Sequence, residues 1–241
     1  MGCTTSIPIE YDDSSYIETQ EWRDFKEEKV ELATENGSSS QKLINLCSWI
    51  HKSMNVKGII LCSHGLHEHI VRYHKIADVL SRDGWAVYGA DHFAHGLSYG
   101  TRGLITDYRF LVDDFAQIAK IVRSRHEPNL PFFVVAHSMG TLVAINSSVM
   151  IDNMAGIVLS GVSLFPGPSG ASPFGIESLY SLGQSSVGVV LAQTMASIDP
   201  KGAAAPIKIE SLTTPNSEEI AILMKDSRRF VNFSISRLSL F

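Results

Sequence analysis

The fold of this chain is decided by the stretch VVAHSMG at residues 134–140. The apolar residues before His137 predict a buried strand, and apolar residues at helical spacing follow the turn. A strand that turns sharply into a helix needs small residues on both sides of the turn, because neighbouring backbones come close there. Ala136 and Gly140 meet that need. Ser138 is then expected to project above the sheet edge, beside a helix N-terminus that favours negative charge, as in a nucleophile elbow.

Two further polar loops follow predicted strands of the same sheet. The apolar runs at 58–63 and 85–90 each predict a buried parallel strand, and the first ends at His64 and Gly65, the second at Asp91. Loops at the carboxyl ends of parallel strands gather at one edge of the sheet. We therefore expect both loops to lie beside the serine.

The candidate roles follow from acyl-transfer chemistry. Ser138 is the candidate nucleophile. An oxyanion hole takes one backbone N–H from the loop after the first core strand and one from the residue after the nucleophile, so Leu66 and Met139 are the candidate donors. The candidate supporting residues on these loops are His64, Gly65, Asp91, His137 and Gly140.

Strands and helices alternate along most of the chain. A turn at 36–40 between two apolar runs predicts a β-hairpin, helical spacing predicts a helix over about 108–126, and a fourth buried strand is expected at 156–160. This alternation predicts an α/β fold with a mostly parallel sheet.

Composition narrows the class of protein further. With 241 residues, of which 44% are hydrophobic and 19% charged, the chain is long enough for one domain with a large core. Three cysteines exclude a disulfide scaffold and suit a reducing compartment. The net charge of −5 argues against nucleic acid as a partner. No cofactor is expected.

The first residues carry a lipidation pattern and no secretory signal. Residues 1–35 hold ten acidic and three basic residues and lack the apolar core of a signal peptide. Gly2 with Ser6 fits N-myristoylation, and Cys3 is a natural palmitoylation site. One myristoyl chain binds membranes only marginally and this segment is acidic, so Cys3 is expected to supply the second anchor. We therefore expect a peripheral, lipid-anchored protein on the cytoplasmic face of membranes.

Three motifs in order resemble the monoacylglycerol lipase and lysophospholipase branch of the α/β-hydrolase superfamily, over about residues 25–230. The motifs are His64-Gly65 with Glu68-His69 and Arg72-Tyr73, then Asp91-His92 with His95-Gly96 and Ser98, then His137-Ser138-Met139-Gly140. The resemblance implies an acyl-ester hydrolase with a Ser–Asp–His triad, acting on a monoacylglycerol or lysophospholipid. It also implies a helical cap inserted after the fourth core strand, which approaches membranes and admits lipid.

The resemblance implies four segments, and it also implies triad residues that are not found after the serine. The segments are an acidic leader at 1–25, a hydrolase core at 26–165, a cap at 166–230 and an unassigned tail at 231–241. The family's triad order places Asp and His after the serine, yet all nine histidines lie at or before His137. We therefore expect the last core strands to be missing from this chain, as in a truncated gene model or splice product. Without its base the serine is a weak nucleophile.

Three positions depart from the family's pattern. The family usually has glycine where this chain has His67, Ala94 and Thr141. His67 puts an additional imidazole beside the proposed oxyanion loop. His67 or His69, expected near the mouth of the site, is an alternative base, although a supporting role in the loop is the simpler interpretation.

Two other functions stay open at this point. The chain could be a non-catalytic, membrane-anchored fragment that binds acyl chains under its cap. It could also be a metal hydrolase, because histidines and an aspartate cluster at two strand ends. The candidate ligands of that hypothesis are His64, His67, His69, Asp91, His92 and His95.

Overall fold

A computed structural model describes residues 24–34, 41–105, 107–162, 205–206, 221, 225–229 and 232–235. The strands are β1 (Phe25–Leu32), β2 (Lys42–Trp49), β3 (Gly58–Ser63), β4 (Trp85–Ala90), β5 (Leu104–Ile105), β6 (Phe132–His137), β7 (Met154–Ser160), β8 (Ala205–Pro206) and β9 (Asn232–Ile235). The helices are α1 (His74–Arg82), α2 (Tyr108–Arg123) and α3 (Met139–Ser147), with short 3-10 turns at Ile70–Tyr73 and Ser148–Met150.

The main sheet has six strands in the order β1-β2-β4-β3-β6-β7. Strands β4, β3, β6 and β7 are parallel, which confirms the predicted parallel core. The predicted hairpin forms β1 and β2, which pair antiparallel with each other, and β2 pairs antiparallel with β4. The sheet is therefore mixed, because a hairpin extends one edge of the parallel core.

Strand β3 lies inside the sheet and is covered on both faces. All six residues of β3 are buried, since helices cover both faces of a parallel sheet and leave no polar side for alternation. Helix α2 packs on one face through Leu111, Phe115, Ile118 and Val122. The other face holds a second cluster that includes Trp49 and Ala77 of α1.

Helix α2 begins at a side-chain cap and ends slightly earlier than its periodicity predicts. Asp107 is extended, and its carboxylate accepts a hydrogen bond of 2.9 Å from the amide of Arg109. The α-helix stops at Arg123, because the amides of Arg125 and His126 bond to carbonyls three residues back, as in a tightened last turn.

A second, small sheet joins distant parts of the chain. It has the order β5-β9-β8, so residues 232–235 of the predicted unassigned tail pair with Leu104–Ile105. No strand in the described parts of the chain pairs with the outer edge of β7. Gly2, Cys3 and the apolar stretch 166–200 lie outside the described residues. Among the residues that are described, no helix is long and apolar enough to span a bilayer.

Candidate active site

Ser138 occupies the sharp turn between β6 and α3. Its backbone has φ 50° and ψ −122°, a region that side-chain-bearing residues rarely adopt. Its amide donates to the Ser160 carbonyl at 3.0 Å, and its carbonyl accepts the amide of Thr141 at 2.9 Å. The hydroxyl of Thr141 also donates to the Ser138 carbonyl at 2.6 Å. Because several bonds hold the turn, the strained conformation is sustained by its surroundings.

Glycines let the loops come close to this serine. A Cβ on Gly140 would lie 2.4 Å from the Ser63 carbonyl oxygen and 2.6 Å from that of His64. A Cβ on Gly65 would lie 3.1 Å from the Cβ of Ser138. The loop after β3 therefore lies directly against the turn, as the meeting of strand ends predicts. Leu66 follows Gly65 in this loop, and Met139 begins α3.

The histidine loop, residues 64–69, is closed from within by Glu68. The carboxylate of Glu68 accepts the amide of Gly65 at 2.5 Å and the hydroxyl of Tyr73 at 3.2 Å. Arg72 lies 3.5 Å from the same carboxylate. At the tip of the loop His67 has φ 64°. The loop is thus a tight turn whose left-handed residue is a histidine.

Asp91 ties the histidine loop to its neighbour after β4. Its carboxylate accepts hydrogen bonds from the amides of Ile70 and Leu97, both at 2.8 Å, and from the side chain of Asn45 at 3.0 Å. A Cβ on Gly96 would lie 2.0 Å from this carboxylate. Asp91 is completely buried. These contacts make it an anchor for two loops.

The histidines beneath the loops form a neutral cluster. His64 Nδ1 donates to the Gly65 carbonyl at 2.8 Å, and His64 Nε2 accepts the amide of His92 at 3.0 Å. His92 Nε2 lies 3.0 Å from the hydroxyl of Ser63. Burial lowers the pKa of His64 and of His92 well below the usual range, and it lowers the pKa of His95 to about 3.

This arrangement does not bring the six candidate metal ligands together as a site. No group of three or more metal-ligating side chains is positioned to hold an ion within the described ranges. The nitrogens of His64 and the Nε2 of His92 engage protein groups instead. The histidines that lie close together in the sequence therefore pack against one another and against backbone groups beneath the loops.

A buried contact from a distant segment is the feature that sequence reasoning missed. His69 Nε2 donates to Asp226 Oδ2 at 2.7 Å, and neither side chain is exposed to solvent. Arg229 Nε donates to the carbonyl of His67 at 3.2 Å. Arg228 pairs with Glu27 of β1 at 2.9 Å. No local pattern signals these contacts, because the partners are separated by more than 150 residues.

Burial and hydrogen bonding shift the pKa of Asp226 in opposite directions. Burial alone raises the pKa of Asp226, but the hydrogen bond and charge of His69 and the amide of Arg228 outweigh it, so the pKa is lowered. His67 and His69 are 4% and 0% exposed, respectively. The ring of His69 therefore lies inside the protein against a carboxylate, away from the open mouth where it was expected.

Two of the three departures from the family's pattern fall on left-handed backbone. His67 has φ 64° and Ala94 has φ 61°, the region where glycine is favoured. This is the physical reason for a glycine preference at both positions. The third, Thr141, has a different role, since its hydroxyl binds the Ser138 carbonyl.

The sheet order and the strained serine at a strand–helix turn define an α/β-hydrolase. A family model described as serine aminopeptidase, S33, matches residues 54–233, more than half of the chain. The chain belongs to this family of hydrolases.

Similar proteins share the fold and part of the sequence. Rat monoglyceride lipase is 32% identical over 127 residues, which are 52% of this chain and 42% of that protein. The monoacylglycerol lipase of Mycolicibacterium smegmatis is 33% identical over 134 residues, 55% of this chain and 47% of that protein. The match thus spans less than half the length of these curated relatives.

A solved structure confirms the fold class. A soluble variant of monoglyceride lipase from Saccharomyces cerevisiae, in complex with a substrate analog, superimposes with a TM-score of 0.65 at 18% identity. The superposition covers 86% of this chain and 64% of that chain.

Proposed function

We propose that this chain carries the nucleophile half of a serine hydrolase of lipid monoesters, with monoacylglycerol as the substrate class. The observation that supports it most is the strained turn that presents Ser138 against the glycine-containing histidine loop. The relatives named monoglyceride lipase and monoacylglycerol lipase favour an acylglycerol over a lysophospholipid.

In this reaction the Oγ of Ser138 attacks the ester carbonyl and forms a tetrahedral intermediate. The amides of Leu66 and Met139 would bind its oxyanion, because one follows the first core strand and the other follows the nucleophile. Collapse breaks the ester C–O bond and expels glycerol, whose oxygen takes up the proton that the Ser138 hydroxyl has lost, and leaves an acyl-enzyme. Water then attacks the acyl carbonyl, the bond to Oγ breaks, and one proton of the water returns to Oγ, which gives the fatty acid and free serine.

No residue of the printed sequence is assigned as the general base. No histidine follows His137, and His69 is committed to Asp226. Loss of the base alone costs about 10⁶ in turnover in a comparable serine hydrolase. Binding and an oxyanion hole still leave about 10³–10⁴ over the rate in water. We therefore expect slow turnover from the 241-residue chain.

A fluorophosphonate probe tests this function. The purified chain is expected to be labelled at Ser138, to release fatty acid slowly from a monoacylglycerol and to act less on a lysophospholipid. Labelling and fatty-acid release should both disappear in Ser138→Ala, while Ser81→Ala, at a buried serine of α1, should still label. A folded chain that binds fatty acid but resists the probe would show a lipid-binding fragment instead.

We further propose that the chain attaches to the cytoplasmic face of membranes through acyl groups on Gly2 and Cys3. The support is the sequence pattern of residues 1–6, which fits two-signal anchoring. Cells fed an alkyne-bearing myristate should label the wild-type chain and not Gly2→Ala. In Cys3→Ser, myristate labelling should persist while the membrane-bound fraction falls.

A further inference from the structure

We propose that residues 226–229 act as a clamp that holds the histidine loop in its reactive conformation, with Asp226 and Arg229 as positioning residues. The inference rests on the proposed role of Ser138 as nucleophile. It assigns a task to a segment whose sequence carries no recognisable catalytic motif.

The clamp contacts the loop at two points from outside. Asp226 binds the ring of His69 in a fully buried pair with a 2.7 Å contact. Arg229 binds the carbonyl of His67 at 3.2 Å. Between these two residues, the amide of Arg228 donates to Asp226 Oδ1 at 3.0 Å, which orients the carboxylate toward His69.

The clamp is itself fixed to the sheet. The side chain of Arg228 is 4% exposed, and its guanidinium contacts Glu27 of β1 at 2.9 Å. Glu27 also accepts the side chain of Asn45 at 2.7 Å, and Asn45 in turn binds Asp91. A hydrogen-bonded path therefore runs from the clamp through the hairpin to the residue that anchors both site loops.

The histidine loop needs external support because its own geometry is unfavourable. His67 lies in the left-handed region, which costs energy for a residue with a Cβ. The internal bonds of Glu68 secure Gly65 at the start of the loop, whereas the two clamp contacts secure its tip at His67 and its far end at His69. An oxyanion donor acts only when it lies 2.7–3.1 Å from the developing charge, so a loosened loop would displace the amide of Leu66.

Three variants of the full chain distinguish a positioning role of the clamp from a general effect on the stability of the fold. Asp226→Asn keeps the shape of the carboxylate and removes its charge, and Arg229→Met removes the donor to His67. The matched control is Asp114→Asn. Asp114 is an equally buried carboxylate (side chain 3% exposed) that pairs with Lys42 and Tyr99 instead of the histidine loop.

Amide hydrogen exchange over residues 60–73 and the kinetics of fluorophosphonate labelling are the two readouts. In both clamp variants we expect faster exchange confined to this peptide and a maximal labelling rate lowered about 10- to 100-fold, because small misplacements of reacting groups have effects of this size. The probe's half-saturating concentration should stay within about twofold, since the clamp orients a transition-state donor. Asp114→Asn should change neither readout.

Two results would overturn the clamp. One is that both clamp variants exchange and label at the same rates as the wild-type chain. The other is an equal loss in Asp114→Asn, which would show a general effect of stability. If Asp226→Asn does not fold, Arg229→Met decides alone. If the wild-type chain resists the probe, the proposed nucleophile fails, but the exchange comparison still decides whether the clamp holds the loop.

Discussion

At the scale of single residues, the site depends on backbone conformations that side chains disfavour. Ser138 and His67 both have positive φ, and each lies where a loop or turn brings two chain segments together. Strain of this kind costs about 1–3 kcal/mol per residue and persists only where surrounding bonds determine the conformation. At Ser138 these bonds come from Ser160 and Thr141.

The strain at Ser138 can be measured by removing its Cβ. Ser138→Gly is expected to be about 1–2 kcal/mol more stable to unfolding than Ser138→Ala, because glycine adopts this backbone conformation without penalty. Urea denaturation of the two variants gives the difference. At Ala116, in the middle of α2, the order should be reversed, with alanine more stable than glycine, since glycine destabilises helix interiors. Equal stabilities at position 138 would mean that the turn stores no strain.

At the scale of elements, local sequence explains most of what forms. The apolar runs at 58–63 and 85–90 are the bounds of β3 and β4. The hairpin was also predicted from its turn residues, and its pairing from Phe25 with Trp49 to Leu32 with Lys42 extends that expectation. Periodicity and turn chemistry act within a few residues, so a single sequence carries them. The pairing of β5 with β9 has no such signal, because its strands are short and about 130 residues apart.

The cap of α2 gives a prediction at this scale. Asp107→Ala is expected to lower the free energy of unfolding by about 1 kcal/mol, because the carboxylate satisfies an amide of the first turn. Asp107→Asn keeps an acceptor at the same place and should lose only a few tenths of that amount. Urea unfolding followed by circular dichroism measures both. Identical losses in the two variants would indicate that the ion pair with Arg109 matters more than the cap.

At the scale of the whole molecule, the buried histidines make stability depend on pH. Burial lowers the pKa of His64, His92 and His95, the last to about 3. Histidine in an unfolded chain titrates near about 6.5. Below that pH the unfolded state binds protons that the folded state excludes, so stability is complete above about pH 6.5 and falls as the pH falls.

Each of these histidines should reduce the free energy of unfolding by about 1.4 kcal/mol per pH unit below pH 6.5. Urea unfolding between pH 7.5 and 5 measures the slope. His95→Asn keeps a donor for the Phe93 carbonyl. It should reduce the slope by the contribution of one proton, about 1.4 kcal/mol per pH unit. Stability that is constant or rises toward pH 5 would contradict the neutral cluster.

The parts of the candidate site that belong to one short motif could be predicted from the sequence. The parts that depend on contacts between distant residues could not. Ser138 and Gly140 lie within one short motif, and a glycine there is needed because the Ser63 and His64 carbonyls occupy the space of a Cβ. The role of Asp226 follows only from a contact that crosses 157 residues of sequence. Among the acids after Ser138 it has no distinguishing neighbour, so no pattern could select it.

The sequence by itself determined the α/β alternation, the position of the serine turn and the meeting of loops at the strand ends, because hydrophobic period and turn chemistry are local properties. Tertiary structure alone decided that the clustered histidines are buried and neutral, and that His67 and Ala94 sit on left-handed backbone. It also decided that a remote Asp-x-x-Arg segment contacts the histidine loop. Burial and long-range hydrogen bonds depend on which surfaces the folded chain brings together, and that information is not contained in any short stretch of residues.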